Sequence, residues 1–301
     1  MAYLADRITD APTADRRSRL FREGPVAFVE RLLLGAAWAV KRERIGGLPN
    51  LAAMLAHDAL VRNDELPEPD QALASPPGLA GIVHDLSVPT LVAAYSRGLF
   101  PFAHVPPLKW WSPPKRAVLF FDEHHISKTI RKKLRNARYS VTFDRDFEGV
   151  IAACAGQRAK RWHLTWITPR IMRAYSDLFD AGYAHSFEVW NEAGKLAGGG
   201  YGVAIGASFS GESQFSLEPD TSKIGLSVLN FHLARWGFHF DDGKLMTPNM
   251  QAMGFRDIDR TGYLSRLALA ARTPSKTGRW QVEADLSEVA AWNPAKPDAT
   301  S

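Results

Sequence analysis

In residues 198–216, aromatic and β-branched residues alternate with small or polar ones, which is the pattern of two β-strands. The segments meet at Gly206 and Ala207, so we predict a β-hairpin whose glycines allow close approach of a ligand or another backbone. Alternation places Glu212 and Gln214 on one face of the second strand. Glu212 therefore either lines a pocket or faces solvent.

The first 75 residues show a helical pattern. Apolar residues recur at helical spacing between Val26 and Ala36, and Gly46-Gly47 followed by Pro49 ends that pattern. The helix either packs on its own protein or lies on a membrane surface or a partner. Prolines between residues 67 and 77 then mark a linker.

Beyond the linker, strand and helix patterns alternate and predict an α+β fold in which helices and sheet share one core. A helix is expected over 89–98, a strand over 117–121, and further strands and helices from residue 139 onward. We divide the chain into a helical extension (1–75), a smaller N-terminal α+β domain (78–145), a larger domain (146–272) and a C-terminal tail (273–301).

A basic amphipathic helix follows residue 126. Ile126, Ile130 and Leu134 lie one turn apart, and no acidic residue occurs between residues 126 and 138. The absence of compensating acids favours phosphate binding over an ordinary solvated face. We therefore expect four side chains to contact phosphate groups: Lys128, Arg131, Lys132 and Arg135. Arg158, Lys160 and Arg161 form a second basic cluster.

Composition narrows the class of protein. The 301 residues are 46% hydrophobic and 23% charged, as in soluble globular proteins, and the net charge of +5 leans toward a polyanionic partner. Cys154 is the single cysteine, no Cys/His cluster has zinc spacing, and the longest apolar run is too short to cross a bilayer. We expect a monomer in the cytoplasm, without a transmembrane segment, metal or cofactor.

Trp110 and Trp111 lie in a proline-rich stretch ahead of the strand at 117–121. Paired tryptophans are usually core residues. In a proline-rich loop their flat faces are equally suited to stacking on a nucleobase.

The chain resembles the leucyl/phenylalanyl-tRNA–protein transferase family over roughly residues 78–267. The matching phrases occur in the family's order: AYSRGLFPF, LKWWSPPKRAVLF, HISKTIRK, TWITP, GYAHSFEVW, GGGYGVAIG, GESQFS, TSK and MGFRDIDRTGYLSRL. The resemblance implies an acetyltransferase-like (GNAT-type) catalytic domain with a smaller N-terminal domain. It also implies transfer of an amino acid from aminoacyl-tRNA to the N-terminus of an acceptor protein, a step that feeds protein degradation.

The resemblance also implies roles for individual residues. Trp111 takes the position that helps to hold the terminal adenosine, and Trp166 takes a second aromatic contact. Glu212 is the carboxylate of the GES phrase, Asp242 takes the catalytic aspartate position, and Ser222 of the TSK phrase joins the substrate-binding candidates.

Four positions depart from the family pattern. Where the family reads D-C-Q, this chain reads Asp242-Gly243-Lys244, so lysine replaces the catalytic glutamine. Gly200 and Gln214 replace methionines near the amino-acid pocket, which leads us to expect a donor different from, or broader than, leucine and phenylalanine.

The chemistry leaves alternatives open. Aminolysis of an ester needs a neutral amine, a proton acceptor and a donor to the oxyanion. We expect Asp242 to orient the amine, and Lys244 either to pair with Asp242 or to stabilise the oxyanion. The chain is then an active transferase with a modified mechanism or a silent tRNA-binding relative. An acetyl-CoA-dependent acetyltransferase is disfavoured by the missing R-x-x-G-x-G/A loop.

Overall fold

The structure is a computed structural model that describes residues 13–42, 44–136, 138–156 and 164–294. The second basic cluster predicted from the sequence, Arg158, Lys160 and Arg161, lies outside the described residues.

Two sheets organise the described residues. The smaller has the strand order β1-β3-β2, formed by β1 (Leu79–Ile82), β2 (Phe100–Phe102) and β3 (Lys109–Trp111). The larger has seven strands in the order β10-β4-β9-β8-β7-β6-β5. Its strands are β4 (Lys115–Leu119), β5 (Tyr139–Phe143), β6 (Ala184–Asn191), β7 (Leu196–Ile205), β8 (Ser208–Ser216), β9 (Phe240–Lys244) and β10 (Arg256–Asp259). Neighbours in this sheet are antiparallel except β8 and β9, which are parallel.

The described helices are α1 (Thr13–Leu20), α2 (Pro25–Ala39), α3 (Leu48–Leu60), α4 (Val88–Ser96), α5 (Lys128–Arg135), α6 (Phe147–Ala155), α7 (Pro169–Asp180), α8 (Thr221–Arg235), α9 (Pro248–Ala252), α10 (Arg260–Ala270) and α11 (Leu286–Ala291). Side-chain caps explain several starts: Ser127 accepts from the Ile130 amide at α5, and Thr168 caps α7 ahead of Pro169. None of these helices is both long and apolar enough to cross a membrane.

The described residues form three apolar clusters, and the two larger ones lie on opposite faces of the large sheet. One contains Tyr201 and Val203 of β7 with residues of α4, α6 and α7. The other contains Ala204 of β7 with residues of α5, α8 and α11. Alternate residues of one strand thus serve different cores, because successive side chains point to opposite faces. The predicted α+β fold and the hairpin with its turn at Gly206-Ala207 are confirmed.

Strand pairing and packing connect segments across the predicted domain limits. The limit at residue 145 divides the large sheet, since β4 and β5 pair with β9 and β6. The expected tail at 273–301 contributes Trp280, which is fully buried and stacks on His185 at 3.6 Å between ring centroids. Strand pairing therefore connects residues 115–143 to the large sheet, and ring stacking connects Trp280 to it.

The described part of the N-terminal extension is helical. The helix α2 ends at Ala39, ahead of the predicted end at Gly46-Gly47, and α3 follows that pair. Gly46 and Gly47 form a short turn between helices, and Pro49 stands in the first turn of α3, where its missing amide costs nothing.

Arg17 of α1 pairs with Glu148 at 3.1 Å and Asp180 at 2.7 Å, so α1 packs on the protein itself. Val26, Val29 and Leu33 of α2 are exposed, so packing on the protein and binding to a membrane surface or a partner both stay predictions for that helix.

Candidate active site

A cavity of about 540 Å³ lies where the small sheet meets β8 and β9. Its walls include Phe100 and Phe102 of β2, Trp111 of β3, and residues of both strands of the large sheet. This is the size of cavity that typically receives a small-molecule ligand.

The cavity opens where two strands separate. β8 and β9 pair at three positions, the last of which joins Ser210 to Asp242. Beyond this position the register between β7 and β8 shifts, because Tyr201 pairs with Ser213 and Gly202 pairs with Gly211. The extra residue is Glu212, and this bulge turns its side chain toward the gap between the strands.

Glu212 and Lys244 form an ion pair in this gap. The Lys244 Nζ donates to Glu212 Oε1 at 2.5 Å and to the carbonyl oxygen of Gly211 at 2.7 Å. Tyr95 OH donates to the same Oε1, and Oε2 has no hydrogen-bond partner within the described part of the chain. Burial raises the pKa of Glu212, although Lys244 and Tyr95 oppose the shift. The pair therefore places an ammonium at the cavity beside a buried carboxylate.

Asp242 lies behind this pair, in a buried polar cluster. Its carboxylate accepts from both Nε and Nη2 of Arg116, from Ser210 Oγ at 3.0 Å, from Tyr263 OH at 2.9 Å and from the Lys244 amide at 2.9 Å. Burial alone would raise the pKa of Asp242, but the charge and hydrogen bonds of Arg116 hold it below its usual value. Asp242 is thus an ionised anchor that is already saturated with donors.

The structure bears on two sequence-based expectations. Asp242 does not line the cavity and its carboxylate bonds to Arg116, and its role in orienting an amine stays a prediction. The side chain of Lys244 pairs with Glu212, and only its backbone amide reaches Asp242. The Lys244 backbone has a φ of 63°, which is uncommon for a residue other than glycine. The hydrogen bond from its backbone N–H to the Asp242 carboxylate holds this conformation.

Aromatic side chains form the opposite wall. Trp111 and Trp166 both line the cavity, as their predicted substrate-binding roles require, and Trp111 Nε1 donates to the Phe102 carbonyl at 2.8 Å. The N-terminal extension adds Trp38, whose ring lies 3.6 Å beneath the guanidinium of Arg44. No carboxylate pairs with Arg44 among the described residues, which leaves its charge available at the cavity.

The remaining substrate-binding candidates, Gln214, Gly200 and Ser222, differ in their position relative to the cavity. Gln214 lines the cavity, as predicted. Gly200 opens no space, because a Cβ there would lie 2.7 Å from the ring of Phe187, which fills the volume expected to be empty. Ser222 is half-buried at the start of α8 and hydrogen-bonds to Ser216, so its contacts lie at the end of β8 and not in the cavity lining.

Only some of the basic side chains of α5 are available to bind phosphate. Lys128, Lys132 and Arg135 are exposed, as a phosphate-binding face requires. Arg131 instead donates from Nη1 to the carbonyl oxygens of Ala290 at 2.6 Å and Trp292 at 2.8 Å. Its guanidinium is therefore committed to holding the C-terminal segment, which the local sequence of α5 gives no sign of.

Sequence reasoning missed Arg116 and Asp241. Arg116 lies 126 positions from its partner Asp242, and no local pattern links them. Asp241 precedes Asp242 in β9 and therefore faces the other side of the sheet, toward the cavity. Strand alternation applied to the adjacent aspartates was the signal that could have revealed it.

A cavity that places an ammonium and a carboxylate beside an aromatic wall defines an enzyme active site of the kind that binds a small organic group. Family profiles agree with this class. Residues 118–268 match the family described as leucyl/phenylalanyl-tRNA protein transferase, and residues 84–114 match its N-terminal domain. The chain belongs to the leucyl/phenylalanyl-tRNA–protein transferase family.

Individual relatives bear the same name. A leucyl/phenylalanyl-tRNA–protein transferase from Maridesulfovibrio salexigens is 42% identical over 74% of this chain and 92% of its own length. Those from Thiobacillus denitrificans and Azotobacter vinelandii are each 45% identical over 71% of this chain and cover 93% and 94% of the relatives. Trp38 and Arg44 lie outside both family profiles.

Solved structures give weaker likenesses. "The structure of L-PGS from Bacillus licheniformis" aligns with 12% identity and a TM-score of 0.31, covering 50% of this chain and 48% of that one. A conserved protein of unknown function from Bacteroides thetaiotaomicron aligns with 10% identity and a TM-score of 0.33, covering 56% and 58%. Scores this low carry no argument about the fold.

Proposed function

We propose that the cavity receives the aminoacyl end of a charged tRNA and that Lys244 and Glu212 carry out transfer of the amino acid to the N-terminus of an acceptor protein. The observation that carries this proposal is the ammonium–carboxylate pair in the gap between β8 and β9, within a chain that belongs to the transferase family. The ester is already activated, so the reaction requires no metal or cofactor.

In the proposed mechanism, the neutral amine of the acceptor attacks the ester carbonyl. Lys244 Nζ has two acceptors in the described structure, and its third N–H is available to the oxygen that becomes negative. The Glu212 carboxylate accepts the proton that the amine loses, and its raised pKa suits this task. The proton then passes to the ribose oxygen as the C–O bond breaks, which leaves an amide and a free tRNA hydroxyl.

Asp242 acts as a positioning residue in this scheme. It holds the Lys244 amide and is held in turn by Arg116, so the lysine reaches the reacting carbonyl from a fixed backbone. The positive charge of Lys244 also lowers the pKa of an amine bound nearby, which favours the neutral nucleophile.

The tRNA body is proposed to contact the exposed cations of α5, namely Lys128, Lys132 and Arg135, with Arg131 supporting the segment behind them. At the cavity, Trp38, Trp111 and Trp166 offer flat faces for the terminal base. Arg44 offers a charge to the last phosphate.

We also propose that the catalytic domain is acetyltransferase-like, which the single parallel junction of β8 and β9 in an otherwise antiparallel sheet supports. The protein is proposed to act as a monomer in the cytoplasm, where charged tRNA is made.

The test is transfer from charged tRNA to a peptide, measured as single-turnover rates. Lys244→Met and Glu212→Gln should each lower the rate about a hundredfold or more. Matched controls are Lys195→Met and Glu192→Gln, which change exposed residues of the β6–β7 turn and should leave the rate unchanged. Binding of charged tRNA without any transfer would instead support a silent relative, and transfer from acetyl-CoA would overturn the proposal.

A further inference from the structure

Asp241 is a buried carboxylic acid at the cavity that the proposed mechanism does not use. Only 2% of the residue is exposed, and its Oδ1 has no hydrogen-bond partner in the described part of the chain. An unpaired buried polar atom is costly in a folded protein. Such an atom at a ligand cavity indicates that a ligand supplies the missing partner.

The position of the carboxyl within the sheet is well defined. Asp241 pairs with Phe209 of β8 on one side and with Leu119 of β4 on the other, so its backbone lies in the middle of the sheet. Its side chain faces the cavity beside Gly211, where a Cβ would lie 3.8 Å from Oδ1. Because residue 211 is a glycine, no side chain from that position lies against the carboxyl.

The surrounding wall is apolar. Phe187, Phe209, Leu226, Met250 and Phe255 line the cavity and belong to the same hydrophobic cluster. A group bound against these residues would be largely hydrocarbon or aromatic. The carboxyl of Asp241 is a polar group within this apolar part of the cavity lining.

The order of side chains along β9 relates this wall to the reaction site. Asp241 and Gly243 share the cavity-facing side, and Lys244 follows with its ammonium in the gap. If the ester carbonyl lies at Lys244, the side chain of the donor amino acid extends toward Asp241 and the apolar wall.

From this geometry we propose that Asp241 determines donor specificity and selects an amino acid with a mainly apolar side chain that ends in a neutral hydrogen-bonding group, such as the phenol of tyrosine. The inference rests on the proposed function, because it takes the cavity to hold an aminoacyl ester.

Two electrostatic facts favour a neutral group over a cation. Burial and the charge of Asp242 raise the pKa of Asp241 to about 8, so the acid carries its proton at neutral pH and can both donate and accept. Lys244, which lies close enough to lower that pKa in part, would repel a positively charged side chain.

The experiment compares amide-linked conjugates of 3′-amino-3′-deoxyadenosine with tyrosine, phenylalanine, lysine or norleucine. Binding is measured by calorimetry, which needs no turnover. The tyrosyl conjugate should bind wild type about tenfold tighter than the phenylalanyl conjugate, because only its hydroxyl can pair with the buried acid. A single tRNA charged in turn with the same amino acids tests whether transfer follows the same order.

Two variants separate the roles of shape and polarity. Asp241→Asn keeps the size and hydrogen-bonding capacity and should retain the tyrosyl preference. Asp241→Leu should abolish it, and its melting temperature should match or exceed that of wild type because an unpaired buried acid has been removed. That thermal measurement also shows that the variant is folded.

The outcomes distinguish the two proposals. Tyrosyl preference in binding without transfer from any charged tRNA would support the role of Asp241 and overturn the proposed function. Transfer with equal or weaker binding of the tyrosyl conjugate would overturn the role of Asp241 and leave the proposed function standing. Preference for the lysyl conjugate, or the same preference in Asp241→Leu, would also overturn the inference.

Discussion

Changing Asp242 to asparagine separates an anchoring role from direct participation in the reaction. Arg116 is 1% exposed and Asp242 is fully buried, and two of the guanidinium nitrogens bond to the carboxylate. Asp242→Asn removes the negative charge and leaves the guanidinium without its counter-ion. Breaking such a buried pair from one side costs about 3–5 kcal/mol of unfolding free energy.

For a chain of this size that cost corresponds to a melting temperature lower by on the order of 10 °C. Unfolding by urea measures the free-energy difference directly. Transfer is assayed in parallel at a temperature where both proteins are folded. We expect the variant to lose activity as well as stability, because asparagine offers one acceptor oxygen in place of two, and Arg116 then competes with the Lys244 amide for it.

The control is a double-mutant cycle with Arg116→Met. Removing both charges should destabilise the protein by less than the sum of the single changes, with a coupling of about 2 kcal/mol or more. Because Asp242 is proposed to act through the position of Lys244, the double variant should also recover part of the lost rate. An Asp242→Asn protein with wild-type unfolding free energy and no transfer would refute the reasoning and assign the carboxylate a direct role.

The other predictions concern tRNA, the extension and pH. Lys132→Ala combined with Arg135→Ala should make the slope of log K for tRNA binding against log salt concentration shallower by about 1.5, since each phosphate contact contributes roughly 0.7–0.9 to that slope. Arg131→Ala should instead lower the melting temperature and leave the salt slope unchanged, because its guanidinium bonds to backbone carbonyls of the C-terminal segment; an altered slope there would contradict this assignment. Arg44→Ala should raise KM for charged tRNA at least severalfold with little change in kcat, and a selective loss of kcat would argue against a binding role. The contribution of Asp241 to stability should fall as pH rises from about 4 to about 8, because folding raises its pKa from 3.8 to about 8 and the folded state alone holds that proton; the unfolding free energy of wild type relative to Asp241→Asn should therefore fall across this range, and a constant difference would contradict the shift.

Local sequence was enough for the elements and for the family. The hairpin follows from alternation around Gly206-Ala207, and the starts of α5 and α7 follow from Ser127 and Thr168, because these signals act within a few residues. Ordered phrases such as GESQFS carry the resemblance to the transferase family, which the relatives confirm.

The tertiary structure decided what those residues do. Alternation states that Asp241 and Asp242 face opposite sides, but only the packed sheet shows that Asp241 meets the cavity and that Arg116 neutralises Asp242. The commitment of Arg131 to the C-terminal segment likewise depends on a contact 159 positions away. Electrostatic partners of this kind depend on which distant strands and helices pack together in the core. Short-range patterns in the sequence do not determine that packing.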